Sequence, residues 1–288
     1  MLLADVFCEH EDMGLNLIDL KRYPIEFLDY GEGAQFLEQC QQQIIDKGWC
    51  SFEEFLHPDA VTALTNEAKN LLPTADILTI KRTIYNTEPD LSAKANDPKG
   101  KQLVHKTVQL ANDQIPPSTI VQRLYQSKIL TEFVRRVQKK EHLYHCADEF
   151  QALNIIALQP DNWHAWHYDT LECTVTLLLQ AAQKGGEFAF LPNSRTDETE
   201  DRESVEQVIA GDLSKTKSFS RGAGTFTLFR GGYSLHGVTK VEGSIPRVTA
   251  IFTYDEQPGR VLSNEVNIQI YGPRVEKILS QRNLAKQS

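Results

Sequence analysis

Between residues 59 and 72 the apolar side chains Val61, Leu64, Ala68, Leu71 and Leu72 recur at helical spacing, and Pro73 closes the run. The spacing predicts one amphipathic helix. A broader stripe of Ile120, Val121, Leu124, Ile129, Leu130, Phe133, Val134 and Val137, behind Pro116 and Pro117, predicts a second helix over 118–138. The first half of the chain therefore reads as largely helical. Residues 86–101 between the two stripes are rich in Asp, Asn, Pro, Lys and Gly, which predicts an exposed, mobile loop.

After Phe150 the pattern changes to short β-rich runs at 153–158, 173–180, 187–191, 224–229 and 247–254, separated by Gly, Pro, Asn and Asp. Such a series predicts an antiparallel barrel or jelly roll. Residues 194–221 interrupt it with an acidic, polar stretch too long for a hairpin turn, and so read as a surface excursion beside the barrel mouth. The expected architecture is a single α+β domain over 1–288, with a mainly helical part to 149, a β core over 150–260 and a C-terminal extension over 261–288.

Composition narrows the function more than the fold. The 288 residues are 41% hydrophobic and 24% charged, as in ordinary globular proteins. A net charge of -9, from 39 acidic and 30 basic residues without a basic stripe, disfavours nucleic acid as a partner. The five cysteines (Cys8, Cys40, Cys50, Cys146 and Cys173) are scattered, lack CxxC spacing, and read as reduced thiols. The N-terminal MLLADVFCEHEDMG reaches acidic residues too soon for a signal-peptide core, and nowhere is there an apolar run long enough to span a membrane. A cytoplasmic location without a membrane partner is the expectation; oligomeric state leaves no trace in the sequence.

The chemistry concentrates in two segments. In NWHAWHYDTLECTVTLLLQ, His167 and Asp169 stand two apart at the start of an apolar strand, which would project both from one face. In LFRGGYSLHGV, His236 follows another strand. Two imidazoles and one carboxylate with open positions favour non-haem Fe(II). In IPRVTAIFTYD, Arg247 and Thr249 share a face of the next strand, where a guanidinium fork and a hydroxyl suit a carboxylate. Another HxD motif at His10–Asp12 has no strand behind it, and His142 and His145 sit at the end of a helical stretch; both are set aside.

Together with KRTIYN, LYHCADEFQALNI, GGEFAFLPNSR, GTFTLFRGGYSLHGVT and TYDEQPG, these motifs make the chain resemble the Fe(II)/2-oxoglutarate oxygenases. Within them it is similar to the group that holds the free amino-acid halogenases and lysine hydroxylases. The resemblance implies a double-stranded β-helix (jelly-roll or cupin-like) starting near residue 150 and buttressed by the N-terminal helices. It implies iron held by His167, Asp169 and His236, 2-oxoglutarate as cosubstrate with its distal carboxylate on Arg247 and Thr249, and dioxygen as oxidant, with succinate and carbon dioxide released. The halogenases carry a small residue where this sequence has Asp169, so hydroxylation is expected over halogenation.

The substrate implied by the resemblance is a free amino acid or small derivative. His164, three before the first ligand, matches a position that the amino-acid-modifying relatives use for substrate. Arg82 and Tyr85, and Asp148 or Glu149, are further candidates for its carboxylate and amine, each equally readable as a surface charge or salt bridge. Trp163 and Trp166 either wall the pocket or simply pack; Arg195 and Arg230 are weaker candidates. The rival readings are a protein or peptide hydroxylase, a cupin-like metal-binding protein without turnover, and a hydrolytic zinc site.

Overall fold

The computed structural model describes residues 14–94, 96–171 and 173–287; the His10–Asp12 motif and Cys8 lie outside them. Its helices are α1 (Gly31–Lys47), α2 (Pro58–Leu71), α3 (Ile120–Tyr125), α4 (Lys128–Val137), α5 (Arg202–Ala210), α6 (Asn264–Tyr271) and α7 (Pro273–Gln287). The strands before the barrel are β1 (Trp49–Phe52), β2 (Asp76–Arg82), β3 (Leu103–Leu110) and β4 (Tyr144–His145). Those that follow are β5 (Leu153–Leu158), β6 (His164–His167), β7 (Cys173–Gln180), β8 (Lys184–Gly185), β9 (Phe188–Leu191), β10 (Lys217–Phe219), β11 (Phe226–Arg230), β12 (Leu235–Val238), β13 (Val241–Glu242) and β14 (Arg247–Asp255).

The strands pair antiparallel throughout. The major sheet has the order β1-β11-β7-β14-β5-β3-β2, with β4 on the end of β14, and the minor sheet the order β10-β9-β12-β6. From β5 onward the chain crosses repeatedly between the two sheets, which is the winding of a double-stranded β-helix. β5 is buried at every position, as a strand covered on both faces must be. It pairs with β14, which in turn pairs with β7, so these three strands lie side by side at the centre of the major sheet.

The first half is less helical than its stripes predict. β1, β2 and β3 all extend the major sheet. β2 alternates exposed and buried residues over DILTIKR, but it exposes Ile77 and buries Arg82, so polarity does not follow the alternation and the strand is hidden in a sequence scan. The helix expected over 118–138 is two helices. Ser127 breaks it: its hydroxyl accepts a bond from the Leu130 amide at 3.1 Å and caps α4. α2 begins with Pro58 in its first turn and buries Leu64 and Ala68 of its stripe together with Ala60, while Val61, Leu71 and Leu72 stay half-buried.

The helical layer packs on the major sheet through aromatic contacts. Phe36 of α1 stacks on Phe133 of α4 at 5.7 Å, Phe133 meets Phe52 of β1 at 5.4 Å, and Phe55 stacks on Phe226 at 4.7 Å. Cys40, Cys50 and Cys146 are free and buried. The C-terminal extension is helical; α6 and α7 bury Tyr271 and Val275 against Phe150 and Ala111. Among the described residues no helix is long and apolar enough to cross a membrane.

Residues 194–221 carry α5, which packs Val205 and Val208 against Ile84, Tyr168 and Leu235. Loop 86–101 leans on this excursion: Arg202 pairs with Asp97, and the Lys101 ammonium donates to the Ile209 carbonyl at 2.6 Å.

Candidate metal centre

His167 is the last residue of β6 and His236 lies within β12, and the register pairs the two directly across the minor sheet. Their rings sit 4.2 Å apart between centroids. Asp169 does not share a strand face with His167, as its spacing suggests, but lies in the connection from β6 to β7. Its place is set by the backbone instead: the Asp169 amide donates to the Gly231 carbonyl at 3.0 Å, and the Tyr168 amide to the Ile84 carbonyl at 2.8 Å. Gly231 also clears the space, since a Cβ there would stand 1.9 Å from Asp169 Oδ2.

Three donor atoms, one from each residue, lie within 4.8 Å of one another. The Asp169 Oδ1 is 3.6 Å from His167 Nε2 and 3.4 Å from His236 Nε2, too far for good hydrogen bonds. Each imidazole uses its other nitrogen on a carbonyl, His167 Nδ1 on Ala165 at 2.8 Å and His236 Nδ1 on Ser234 at 2.9 Å. A carbonyl only accepts, so Nδ1 carries the proton and the Nε2 lone pairs face the carboxylate. Burial, then the neighbouring His236, lowers His167 to about 4, which keeps its ring neutral. The Asp169 Oδ2 has no partner. Three converging lone-pair donors with an unpartnered carboxylate oxygen fit a divalent cation, and two imidazoles with one carboxylate fit iron.

Two adjoining cavities open on this triad. The smaller, about 70 Å³, is lined by the triad with Thr176, Arg221, Arg247 and Thr249. Arg247 is 5% exposed and donates to the Thr249 hydroxyl. Gly186 makes room for its stem, because a Cβ there would meet the Arg247 Cδ at 3.2 Å. The larger cavity, about 100 Å³, holds Arg82, Asn86, Gln109, Gln151, Asn154, His164 and Thr170, and Leu262, Ile270 and Tyr271 reach it from the C-terminal segment. Burial lowers Arg82 to about 10 against the pull of the Asp169 charge, and its Nε has no partner. His164 borders both cavities, stacks on His167 at 4.4 Å and meets His105 in a tilted contact at 4.5 Å.

The structure thus brings His164 and Arg82 to the triad, but not Tyr85 or Glu149. Tyr85 donates to Glu200 at 2.8 Å and stacks on Tyr168, tying the excursion to the Asp169 loop from outside the cavities. Glu149 pairs with Arg282 of α7 at the surface. Asp148 is buried and accepts from Phe150, Gln151 and Leu262 amides and from Asn267 Nδ2, all at 2.8–3.0 Å, which joins α6 to the start of β5. Asp148→Ala should therefore cost about 3 kcal/mol of stability, read from urea midpoints, by stranding these donors. Trp163 is exposed, Trp166 packs beside Tyr168, and Arg195 lies over the Tyr168 ring at 3.9 Å.

Residues that the sequence did not single out complete the lining. Asn86 donates through Nδ2 to the Tyr168 carbonyl at 2.6 Å and keeps a buried, unpartnered Oδ1 at the larger cavity. Gln109 and Tyr271 both donate to Asn154 Oδ1, at 2.8 and 2.7 Å. The closest signal for Asn86 is its place in KRTIYN, four residues after Arg82.

This geometry agrees with the comparisons. The model of the Halogenase D family (HalD) matches residues 33–271, and the chain belongs to that family. No curated protein matches. Among solved structures, a 2OG-Fe(II) oxygenase-family oxidoreductase from Burkholderia pseudomallei is 14% identical with a TM-score of 0.50, over 80% of this chain and 93% of that one. The non-haem alpha-ketoglutarate-dependent epimerase SnoN of nogalamycin biosynthesis is 14% identical with a TM-score of 0.55, over 77% and 82%. HygX from Streptomyces hygroscopicus, solved with nickel, 2-oxoglutarate and hygromycin B, is 12% identical with a TM-score of 0.52, over 76% and 87%. At such identities the likeness is one of fold.

Proposed function

We propose that this chain is an Fe(II)- and 2-oxoglutarate-dependent oxygenase that hydroxylates a small molecule of amino-acid type. The observation that carries the reading is the convergence of His167, Asp169 and His236 beside a buried Arg247 and Thr249. In this reading the triad holds iron, and Arg247 with Thr249 takes the distal carboxylate of 2-oxoglutarate as a fork and a hydroxyl. Iron with 2-oxoglutarate and dioxygen supplies an oxidant for an unactivated C–H bond.

The protein's own part is positioning and exclusion of water. The carbonyls of Ala165 and Ser234 fix both imidazoles in the tautomer that presents Nε2. In this reading Arg82 would hold a substrate carboxylate, the Asn86 Oδ1 would accept from an ammonium, and His164 would fix the substrate against the triad, all three lining the larger cavity. A cavity of about 100 Å³ bordered by α6 suits a small molecule better than a peptide. Halogenation is the second reading, favoured by the family's name. Against it stands Asp169, whose carboxylate would fill the position that a halide needs if the triad holds the metal.

Anaerobic titration of the metal-free protein with Fe(II) and then 2-oxoglutarate tests the core of the reading through the weak visible band of the chelate. The band should form, and an aerobic panel of amino acids should then include one that accelerates succinate release. Bound iron with no band at millimolar 2-oxoglutarate would sink the cosubstrate assignment and favour a metal-binding or hydrolytic barrel.

A further inference from the structure

Arg221 sits at the end of the excursion, just before β11, and its side chain is only 7% exposed. Its Nη1 donates to the hydroxyls of Thr176 at 3.0 Å and Thr227 at 2.9 Å, while its Nη2 has no partner. The guanidinium lies over the ring of Phe188 at 4.8 Å. It lines the same cavity as Arg247 and Thr249. The only carboxylate lining that cavity among the described residues is Asp169, which belongs to the triad.

Two buried guanidiniums therefore face one small space. Threonine hydroxyls satisfy donors but neutralise no charge, and a ring face compensates a desolvated cation only in part. The charges also act on each other: burial first, and Arg247 second, push Arg221 well below its ordinary value. Two like charges held this way are costly, and the cost is relieved by an anion that takes donors from both forks.

We infer that Arg221 and Arg247 together form a two-guanidinium pocket for the distal carboxylate of the cosubstrate, and that this pocket binds a dicarboxylate without iron. The inference rests on the cosubstrate reading above. It adds a positioning residue and separates cosubstrate capture into an iron-independent grip at one end and chelation at the other.

Calorimetry and thermal melting of the metal-free full chain with three probes test it: glutarate, 2-oxoglutarate, and 2-oxobutanoate, which lacks the distal carboxylate. Wild-type protein should bind the two diacids and melt higher with them, and should not respond to 2-oxobutanoate. Arg221→Leu should weaken both diacids by about tenfold or more without lowering the melting temperature of the unliganded protein. Should that variant fail to fold, Arg221→Gln, which can keep the threonine bonds without the charge, should show the same loss. Unchanged glutarate affinity in a folded variant overturns the inference. So does wild-type protein that binds 2-oxoglutarate with iron but neither diacid without it, and that result spares the cosubstrate reading. Protein that binds 2-oxoglutarate in neither state removes both.

Discussion

Asp169→Ala should lose iron binding by more than about 100-fold, since even the outer partners of metal ligands are worth about 10- to 100-fold. Succinate release should fall with it to background. The fold should survive, because the metal-free protein holds this carboxylate against two imidazole lone pairs with one oxygen unpartnered, and removing it relieves a buried charge. Iron stoichiometry after equilibration, alongside a melting curve of the metal-free form, separates the two effects. Full iron retention would show that the two histidines suffice and that the carboxylate is no ligand. In the same assay, wild-type protein turning over in millimolar chloride should give a hydroxylated product; a chlorinated one would decide for the second reading.

Gly231→Ala should produce nearly the same loss through a single methyl group. The new Cβ would stand 1.9 Å from Asp169 Oδ2, 2.7 Å from its Cγ and 3.0 Å from the Phe229 ring. Gly231 is not among the glycines with positive φ, so alanine meets no backbone strain and the clash is the whole effect. The carboxylate must swing away from the histidines or the β11–β12 turn must open, and either separates the donors. Iron affinity should again fall about 100-fold, with far-UV circular dichroism unchanged. An alanine variant that still binds iron at wild-type strength would mean that Asp169 holds its ligand through another geometry.

The sequence is most legible where burial is two-sided. β5, β7 and β14 read as strands at nearly their observed bounds because apolar and β-branched residues dominate them and both faces are largely buried. β2 and β3 do not, since β3 turns the polar His105, Thr107 and Gln109 inward and Val104 outward, and β2 exposes Ile77 and buries Arg82. The three triad residues are readable from motif order, but their convergence is not: it depends on the β6–β12 register and on the bond from Asp169 to Gly231. Glu149 stands beside the first barrel strand in sequence, yet Arg282 from the far end of the chain claims it. Arg221 gives no signal inside a polar excursion, because what makes it unusual is the company of Arg247 from another strand.

The pairing of His167 with His236 has a consequence for how the protein comes to be made. The two histidines are contributed by strands far apart in the chain, and β7, β9, β10 and β11 must be laid down between them before β12 can close on β6. A nascent fragment ending before β12 holds only one histidine and the carboxylate of the triad, so on the proposed function a growing chain could not capture iron early. Closure of long-range antiparallel pairs is slow, and metal loading becomes a late event that rewards only the finished barrel. Iron supplied during refolding should therefore speed none of the early phases and should stabilise the end product alone.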